Sequence, residues 1–474
     1  DWSGLFAAAP RPLDLASLGR VLELALCVSA WKAVEGAAWA VRNNPSSGNL
    51  HPTEAYVALP PLPGLSDRAG LFHYAVKEHG LETRRLFAAA PAPPAGGFLV
   101  GLSSVAWREA WKYGERAFRY VLLDGGHAAG ALAYAAAALG WRAQMLPQPS
   151  DAELAGFLGL TREDASHAYE VERPELLIAV TPGPAPADCS PRLAEVDDGE
   201  WFGAANRLSD DHDPWPLVDA AFRWTEKPAL PNPAPARRPA VISPPAASAA
   251  ARPAESVIRA RRSVQRMDGV TPMAKADFFR TLAATIPSAG GVWDAFPWPP
   301  RLALFLFVHR VEGLAAGRYA LIRDPDALAR LQAASRPDWL WALVDGAPAG
   351  LPLYLLRAEP ADKLASQLSC LQAIAGKGAF AAAMVADFAR TLDEEGDWAY
   401  RRLHWEAGLL GQVLYLEATA AGLAGTGIGC FFDDDVAHAA GLPGEDMAWR
   451  PVYNFTIGGG VEDARILTLP AYER

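Results

Sequence analysis

The chain has 474 residues, half of them apolar, with 16 Trp, 18 Phe and 12 Tyr; it is too long for one ordinary core and reads as a globular protein of two domains, or of one unusually large one. A formal net charge of -11, from 43 basic and 54 acidic residues, argues against a nucleic-acid or anionic-membrane surface, so any bound phosphate must be met by a local cluster of arginines. Cys27, Cys189, Cys370 and Cys430 are widely spaced with no CxxC pair, unlike a disulfide framework or a zinc site, and the cytoplasm is the default compartment. The longest low-polarity run, Ala128 to Gly140, is too short to span a bilayer. No basic-then-apolar leader opens the sequence, and its start at Asp1 leads us to expect residues upstream.

Residues 1 to 40 read as helical, with Leu15, Leu18, Leu22 and Leu26 as an apolar stripe. Next comes "RNNPSSGNLHPTEAY", Arg42 to Tyr56, where Pro45 fixes a turn, Ser46, Ser47 and Asn49 offer short polar donors, and Gly48 admits close backbone approach. The alternating Ala55, Val57 and Leu59 that follow predict a half-buried strand. An ordinary Ser/Asn-rich turn has the same composition. "GLFHY" and "GFLVGLSSVAW" are further strand candidates, and "WREAWKYGERAFRYVLLDGGHAAGALAYAAAALGW" predicts a buried helical region with Gly126, Gly130, Ala133 and Ala137 on one face.

The stretch "RRLHWEAGLLGQVLYLEATAAGL" superposes on "RYVLLDGGHAAGALAYAAAALGW", pairing Arg401 with Arg119, Glu406 with Asp124 and Gly408 with Gly126, each 282 positions apart (408 minus 126). "YVALPPLPGLSDRAGLFHY" is echoed by "LFLFVHRVEGLAAGRYALI" as strand, Gly-Leu turn and strand, so the chain reads as an internal repeat. Chance similarity between Ala/Gly-rich helices is the competing explanation. The expected division is a first domain at 1–183, a Pro/Ala-rich linker with a docked aromatic segment at 184–254, and a second domain at 255–474.

Two further clusters carry chemistry. "SVIRARRSVQRMDG" sets Arg259, Arg261, Arg262 and Arg266 around Ser263, either a solvated basic face or the fork and hydroxyl that a phosphate monoester needs. "GLAGTGIGCFFDD" alternates Gly425, Gly427 and Gly429 after the long helix and reads as a glycine-rich helix exit. It is no dinucleotide fingerprint, since it does not follow a strand and open a helix. "GGGVED", Gly458 to Asp463, is a further candidate border of the same site, though a turn after its preceding strand suffices to explain it. The histidines suggest structural roles and no metal site.

The Pro45 to Asn49 string resembles the flavin-contacting loop of the nitroreductase family, in the branch of azoline dehydrogenases of the SagB/thiazoline-oxidase type. "RRS" at Arg261 to Ser263 resembles that family's FMN-phosphate motif, although Gln265 stands where the family often has a basic residue. The resemblance implies an α+β fold of two tandem nitroreductase-like sandwich domains forming an intrachain pseudo-dimer. One FMN per chain would be bound by Pro45, Ser46, Ser47 and Asn49 from the first half and Arg261, Arg262 and Ser263 from the second, with Gly425, Gly427 and Gly429 beside the isoalloxazine.

The reciprocal site looks eroded, because 1–40 lacks an Arg-Arg-Ser and "IPSAGGVW" keeps only a trace of the loop around Pro287 and Ser288; alternatively, upstream residues held that motif. Lys112 and Tyr113 resemble the proton-transferring Lys-Tyr pair of azoline dehydrogenases. A snorkelling lysine and a packed tyrosine are the bland alternative. The implied function is hydride transfer through FMN, with oxidation of azolines in peptides as the leading candidate. NAD(P)H-dependent reduction of nitro compounds or quinones is the runner-up, with NAD(P)H as electron donor, and a catalytically retired flavin-binding scaffold is third. The expected partners are a small-molecule or peptide substrate and a second copy of the chain, with neither nucleic acid nor membrane.

Overall fold

The computed structural model describes residues 1–88, 96–165, 167–183, 193, 199–231, 238–239, 241–243 and 252–472. The chain divides into two compact units, one of residues 4–236, 292–298 and 468–474 and the other of residues 1–3, 237–291 and 299–467. Of the expected linker at 184–254, residues 184–192, 194–198, 232–237, 240 and 244–251 lie outside the described residues.

The first unit runs through α1 (Leu15–Ala25), β1 (Val28–Val34), β2 (Ala37–Arg42), β3 (Thr53–Leu59), β4 (Gly70–Ala75), β5 (Gly80–Leu86), β6 (Phe98–Val105), α2 (Trp107–Tyr113), α3 (Ala117–Ala138), β7 (Arg142–Met145), α4 (Asp151–Leu158), β8 (Glu172–Thr181), β9 (Glu200–Trp201) and α5 (Pro216–Trp224). Its main sheet has the order β7-β8-β6-β3-β4-β5-β9, every pair antiparallel. The second unit runs through α6 (Ala254–Ala260), α7 (Lys275–Thr285), β10 (Leu302–Val308), β11 (Gly317–Leu321), α8 (Leu328–Ala334), β12 (Ala342–Leu343), β13 (Leu353–Arg357), α9 (Asp362–Leu368), α10 (Ile374–Lys377), β14 (Phe380–Asp387), α11 (Phe388–Glu395), α12 (Ala399–Ala420), β15 (Ala424–Ile428), α13 (Asp433–Ala439) and β16 (Trp449–Gly458). Its sheet order, from β15, is β15-β16-β14-β10-β11-β13-β12.

The two orders correspond strand for strand over six positions, from β7 and β15 to β5 and β13; at the far edge β9 follows β8 in the chain, whereas β12 lies between β11 and β13. The same spacing of 282 carries β6 onto β14 and α3 onto α12, both helices being 22 residues long. The pairs β3–β4 and β10–β11 occupy equivalent positions, as the second sequence echo predicted. Duplication, rather than chance likeness of two alanine-rich helices, accounts for that agreement.

In each unit the long helix lies in the core beside a shorter one, α1 on α3 and α7 on α12. Nearly every residue of α3 is buried, in keeping with its small, mostly uncharged composition. Asp14 caps α1 by accepting from the Ser17 N–H at 2.7 Å.

Three expectations are corrected. Residues 28–42 are not helical but form the β1–β2 hairpin, turning at Gly36 with φ +79°. Alanine and glutamate favour helix locally; here a distant strand, β17 (Leu467–Leu469), completes a three-stranded sheet with the hairpin. Trp31 Nε1 donates to the Ala471 carbonyl at 3.0 Å, and Lys32 Nζ to Thr468 Oγ1 at 2.6 Å. The helical region from Trp107 breaks at Gly114, φ +60°, leaving Lys112 and Tyr113 at the end of α2. Cys370 and Cys430 form a disulfide across 60 residues, which their spacing did not reveal.

Candidate functional site

In the first unit, the segment between β2 and β3 forms a short 3₁₀ turn, Ser47–Asn49, in which Gly48 (φ +60°), Asn49 (φ +61°) and His51 (φ +52°) all take left-handed backbone. Its polar groups are largely bonded within the protein. Asn49 Nδ2 donates to the Ala40 carbonyl at 2.8 Å, while its Oδ1 lies 2.9 Å from His51 Nε2. Ser46 Oγ accepts the His51 N–H at 2.8 Å and donates to Glu109 Oε1 at 3.5 Å. The Ser47 N–H donates to Asp124 Oδ1 at 3.2 Å. Pro45 is buried beneath the turn.

The end of α2 covers this turn. A Cβ on Gly48 would collide with the Tyr113 hydroxyl and come within 3.0 Å of Lys112 Nζ. Thus the structure brings together the polar turn and the Lys-Tyr pair that sequence reading had picked out separately. Lys112 is exposed, with its Nζ 5.3 Å from the Tyr113 ring centre. Burial, and then the Glu109 carboxylate, pushes the Tyr113 phenol up to about 12, so it stays protonated through the neutral range.

A polar network braces the other side. Glu54 on β3 pairs with His73 and with Arg108 of α2, each at 2.8 Å, and Arg108 also donates to the His51 carbonyl at 2.8 Å. Burial works against the Glu54 charge, but the His73 and Arg108 contacts prevail and hold its carboxyl at about 2. Glu54, His51 and His404 therefore have structural partners, His404 Nδ1 donating to the Tyr400 carbonyl at 2.9 Å.

In the second unit, Arg261–Ser263 leaves α6 beside β15. Ser263 bridges to Gly425 in parallel fashion, and Val264 exchanges hydrogen bonds with Thr426. The glycines thus lie on or just beyond an edge strand, which corrects the reading of a helix exit. Gly425 makes room for Phe455 and Tyr415, and Gly427 for the Tyr453 hydroxyl; Gly429 follows β15.

Tyr415, which sequence reading missed, ties the cluster together. Its hydroxyl accepts the Gly427 N–H at 2.9 Å and lies 2.8 Å from Ser263 Oγ, while the Arg261 guanidinium sits 5.1 Å from its ring centre. The one available signal was an aromatic at 415 where the repeat has Ala133. Arg261 is buried, and burial draws its guanidinium down to about 10. Arg262 Nη1 donates to the carbonyls of Arg259 and Arg261 at 2.8 and 2.6 Å, whereas Arg266 is exposed. "GGGVED" pairs with the chain after the motif: Gly459 accepts the Asp268 N–H and Arg266 accepts the Val461 N–H, both at 3.0 Å.

These donors suit a phosphorylated planar group. A buried guanidinium, an exposed serine hydroxyl, and glycines without side chains are what a phosphate and a flat ring require. The repeated antiparallel sheet with a buried long helix defines an α+β sandwich fold present twice.

The nitroreductase family model matches residues 9–171 and 258–459, once in each half, and the chain belongs to that family as a tandem duplication. A provisionally assigned nitroreductase from Anabaena variabilis superimposes with a TM-score of 0.68 at 21% identity, over 94% of this chain and 88% of that one, and shares the fold. A microcin synthetase complex from E. coli matches 36% of this chain and 64% of its own at 15% identity and TM-score 0.28. A nitroreductase-type protein from Exiguobacterium sibiricum, solved with FMN, matches 44% and 88% at 14% identity and TM-score 0.23. The comparison with curated proteins returns no match. Among the described residues no helix is long and apolar enough to cross a membrane.

Proposed function

We propose that this chain is an FMN-dependent oxidoreductase that oxidises azoline rings in a peptide substrate. The reading rests above all on the meeting of Lys112 and Tyr113 with the Pro45–Asn49 turn at Gly48. FMN, when bound, supplies a two-electron acceptor for hydride. Arg261 and Ser263 would hold its phosphate, and the Ser46–Ser47 turn would face its ring. That one FMN draws on both sets is part of the proposal, and flavin stoichiometry tests it.

The protein's own task is to manage the proton. Oxidising an azoline removes a hydride and a proton from the ring. Tyr113, kept protonated by burial, would relay the ring proton at the turn, taking it up as its own hydroxyl proton passes to the free amine of Lys112. Lys112, exposed beside it, exchanges that proton with water.

Released flavin should be quantified per chain after reconstitution, and turnover compared for a thiazoline peptide and for NAD(P)H with a quinone. We expect one FMN per chain and peptide oxidation that falls about a hundredfold or more in Lys112→Ala or Tyr113→Phe. NAD(P)H oxidation without peptide turnover would instead establish a nitro- or quinone-reductase. Flavin binding with no turnover, indifferent to both substitutions, would establish a retired scaffold.

A further inference from the structure

The duplication provides an internal control for electrostatics. At the spacing of 282, Asp124 of α3 corresponds to Glu406 of α12, and Glu109 of α2 to Thr391 of α11. Glu406 is fully buried and paired with the fully buried Arg323, and it also accepts the Arg301 N–H at 3.0 Å. That position in the second unit therefore holds one carboxylate, one guanidinium and a neutral threonine. The first unit holds two carboxyls there instead, Glu109 wholly buried and Asp124 2% exposed. Neither makes an ion pair among the described residues.

Two like charges at this depth are far too costly to coexist without compensation. Two oxygens, Glu109 Oε2 and Asp124 Oδ2, also lack a hydrogen-bond partner. One proton between them lifts the like-charge repulsion and turns one of the two carboxyls from an acceptor into a donor. Asp124 accepts the Ser47 N–H at 3.2 Å and suits the ionised role; Glu109 has only the long contact from Ser46, at 3.5 Å, and suits the protonated one.

We propose that Glu109 and Asp124 share one proton at neutral pH, and that this monoanionic pair is the positioning element that holds the Ser46–Ser47 turn against Lys112 and Tyr113. The groups that face the pair are Lys112 and Tyr113 from α2, Tyr120 from α3 and Arg42 from β2. Burial, reinforced by the Asp124 charge, raises the Glu109 carboxyl far above the usual range. Burial also raises Asp124, but Ser46, Ser47 and Arg42 oppose it. This is the order of affinities that the assignment requires. The proton sharing itself needs no cofactor; that the turn it holds faces a flavin rests on the function proposed above.

Infrared difference spectroscopy on the full chain without flavin tests the pair directly. At neutral pH the wild type should show the carbonyl stretch of a buried protonated carboxylic acid, and Glu109→Gln should remove it. The amide mimics the protonated acid, so this variant should keep the wild-type circular dichroism and bind FMN within about threefold of wild type. Glu109→Thr, which installs the residue found at the equivalent place in the second unit, is the alternative variant should Gln fail to fold. Absence of the band in wild type, or a band unchanged in whichever variant folds, overturns the proposal. A chain that binds no flavin but shows and loses the band would sink the oxidoreductase reading and leave the shared proton standing.

Discussion

Arg323 and Glu406 form an ion pair in which neither side chain is accessible to solvent, linking the chain just after β11 to the middle of α12. Breaking it from one side strands the other charge. We expect Arg323→Met to cost about 3–5 kcal/mol and Arg323→Met with Glu406→Met to recover most of that loss. Urea unfolding of both single variants and the double variant measures the coupling; an additive double variant would mean that the pair contributes nothing to the second unit.

Gly48 can hardly be replaced. Its φ of +60° disfavours any side chain, and a Cβ would run into the Tyr113 hydroxyl. Gly48→Ala should destabilise the first unit by about 1–3 kcal/mol and displace Tyr113 from the turn. Thermal unfolding reports the first effect, and the titration of the Tyr113 phenol, followed by its ultraviolet difference spectrum, reports the second. An unchanged phenol titration would show that the hydroxyl does not rest on this glycine.

Much of this arrangement was legible in the residues. Gly48 in a polar turn, Arg261 to Ser263 in an acidic chain, and the constant spacing between Asp124 and Glu406 all mark places where residue type is tied to one local geometry. The meeting of Tyr113 with Gly48 and of Tyr415 with Ser263 could not be read. These contacts are made by tertiary packing between segments far apart in sequence, and a tyrosine on a buried helix looks the same whether or not its hydroxyl has a partner. The β1–β2 hairpin was misread for a related reason: its third strand comes from the far end of the chain. The glycines at 425 and 427 were noticed, but their alternation belongs to a strand fitted against aromatic rings.

The Glu54–His73 contact makes the first unit's stability depend on pH. Burial disfavours the His73 charge, but hydrogen bonds to Glu54 and Glu82, both at 2.8 Å, outweigh it and raise the imidazole above 6.5. A raised folded value means that the stabilisation is complete below the unfolded value and is lost as pH rises through the folded one. Glu54 acts in the opposite sense: its stabilisation, present above about 4.5, is lost as pH falls towards about 2. Urea midpoints of wild type and His73→Gln should therefore converge as pH is raised beyond neutrality. A constant gap would exclude a charged His73.

The disulfide between Cys370 and Cys430 closes a loop of 60 residues. Thiol titration of the denatured chain should find two fewer thiols before reduction than after it. In the chain-entropy picture a loop of this length contributes at most about 4 kcal/mol. Cys370→Ser should therefore lower the urea midpoint of the second unit in the oxidised protein and change nothing once a reductant is present. Equal thiol counts before and after reduction would rule out the bond.

Tyr415 joins Arg261, Ser263 and Gly427, and two substitutions separate its contributions. Tyr415→Phe keeps the ring beside the Arg261 guanidinium but removes the hydroxyl that accepts the Gly427 N–H and meets Ser263 Oγ. The loss should be about 1 kcal/mol, since the Gly427 N–H and the Ser263 hydroxyl lose a partner at a place that is only partly buried. Tyr415→Leu removes the ring as well and leaves Arg261 buried without its cation–π contact, so it should cost more. If Ser263 is oriented through this hydroxyl to meet a phosphate, Tyr415→Phe should weaken FMN binding about tenfold, equivalent to about 1.4 kcal/mol, and riboflavin binding much less. Fluorescence titration with the two flavins decides the matter. Equal weakening of both would place the effect of Tyr415 away from the phosphate, and no weakening of either would leave it a purely structural residue.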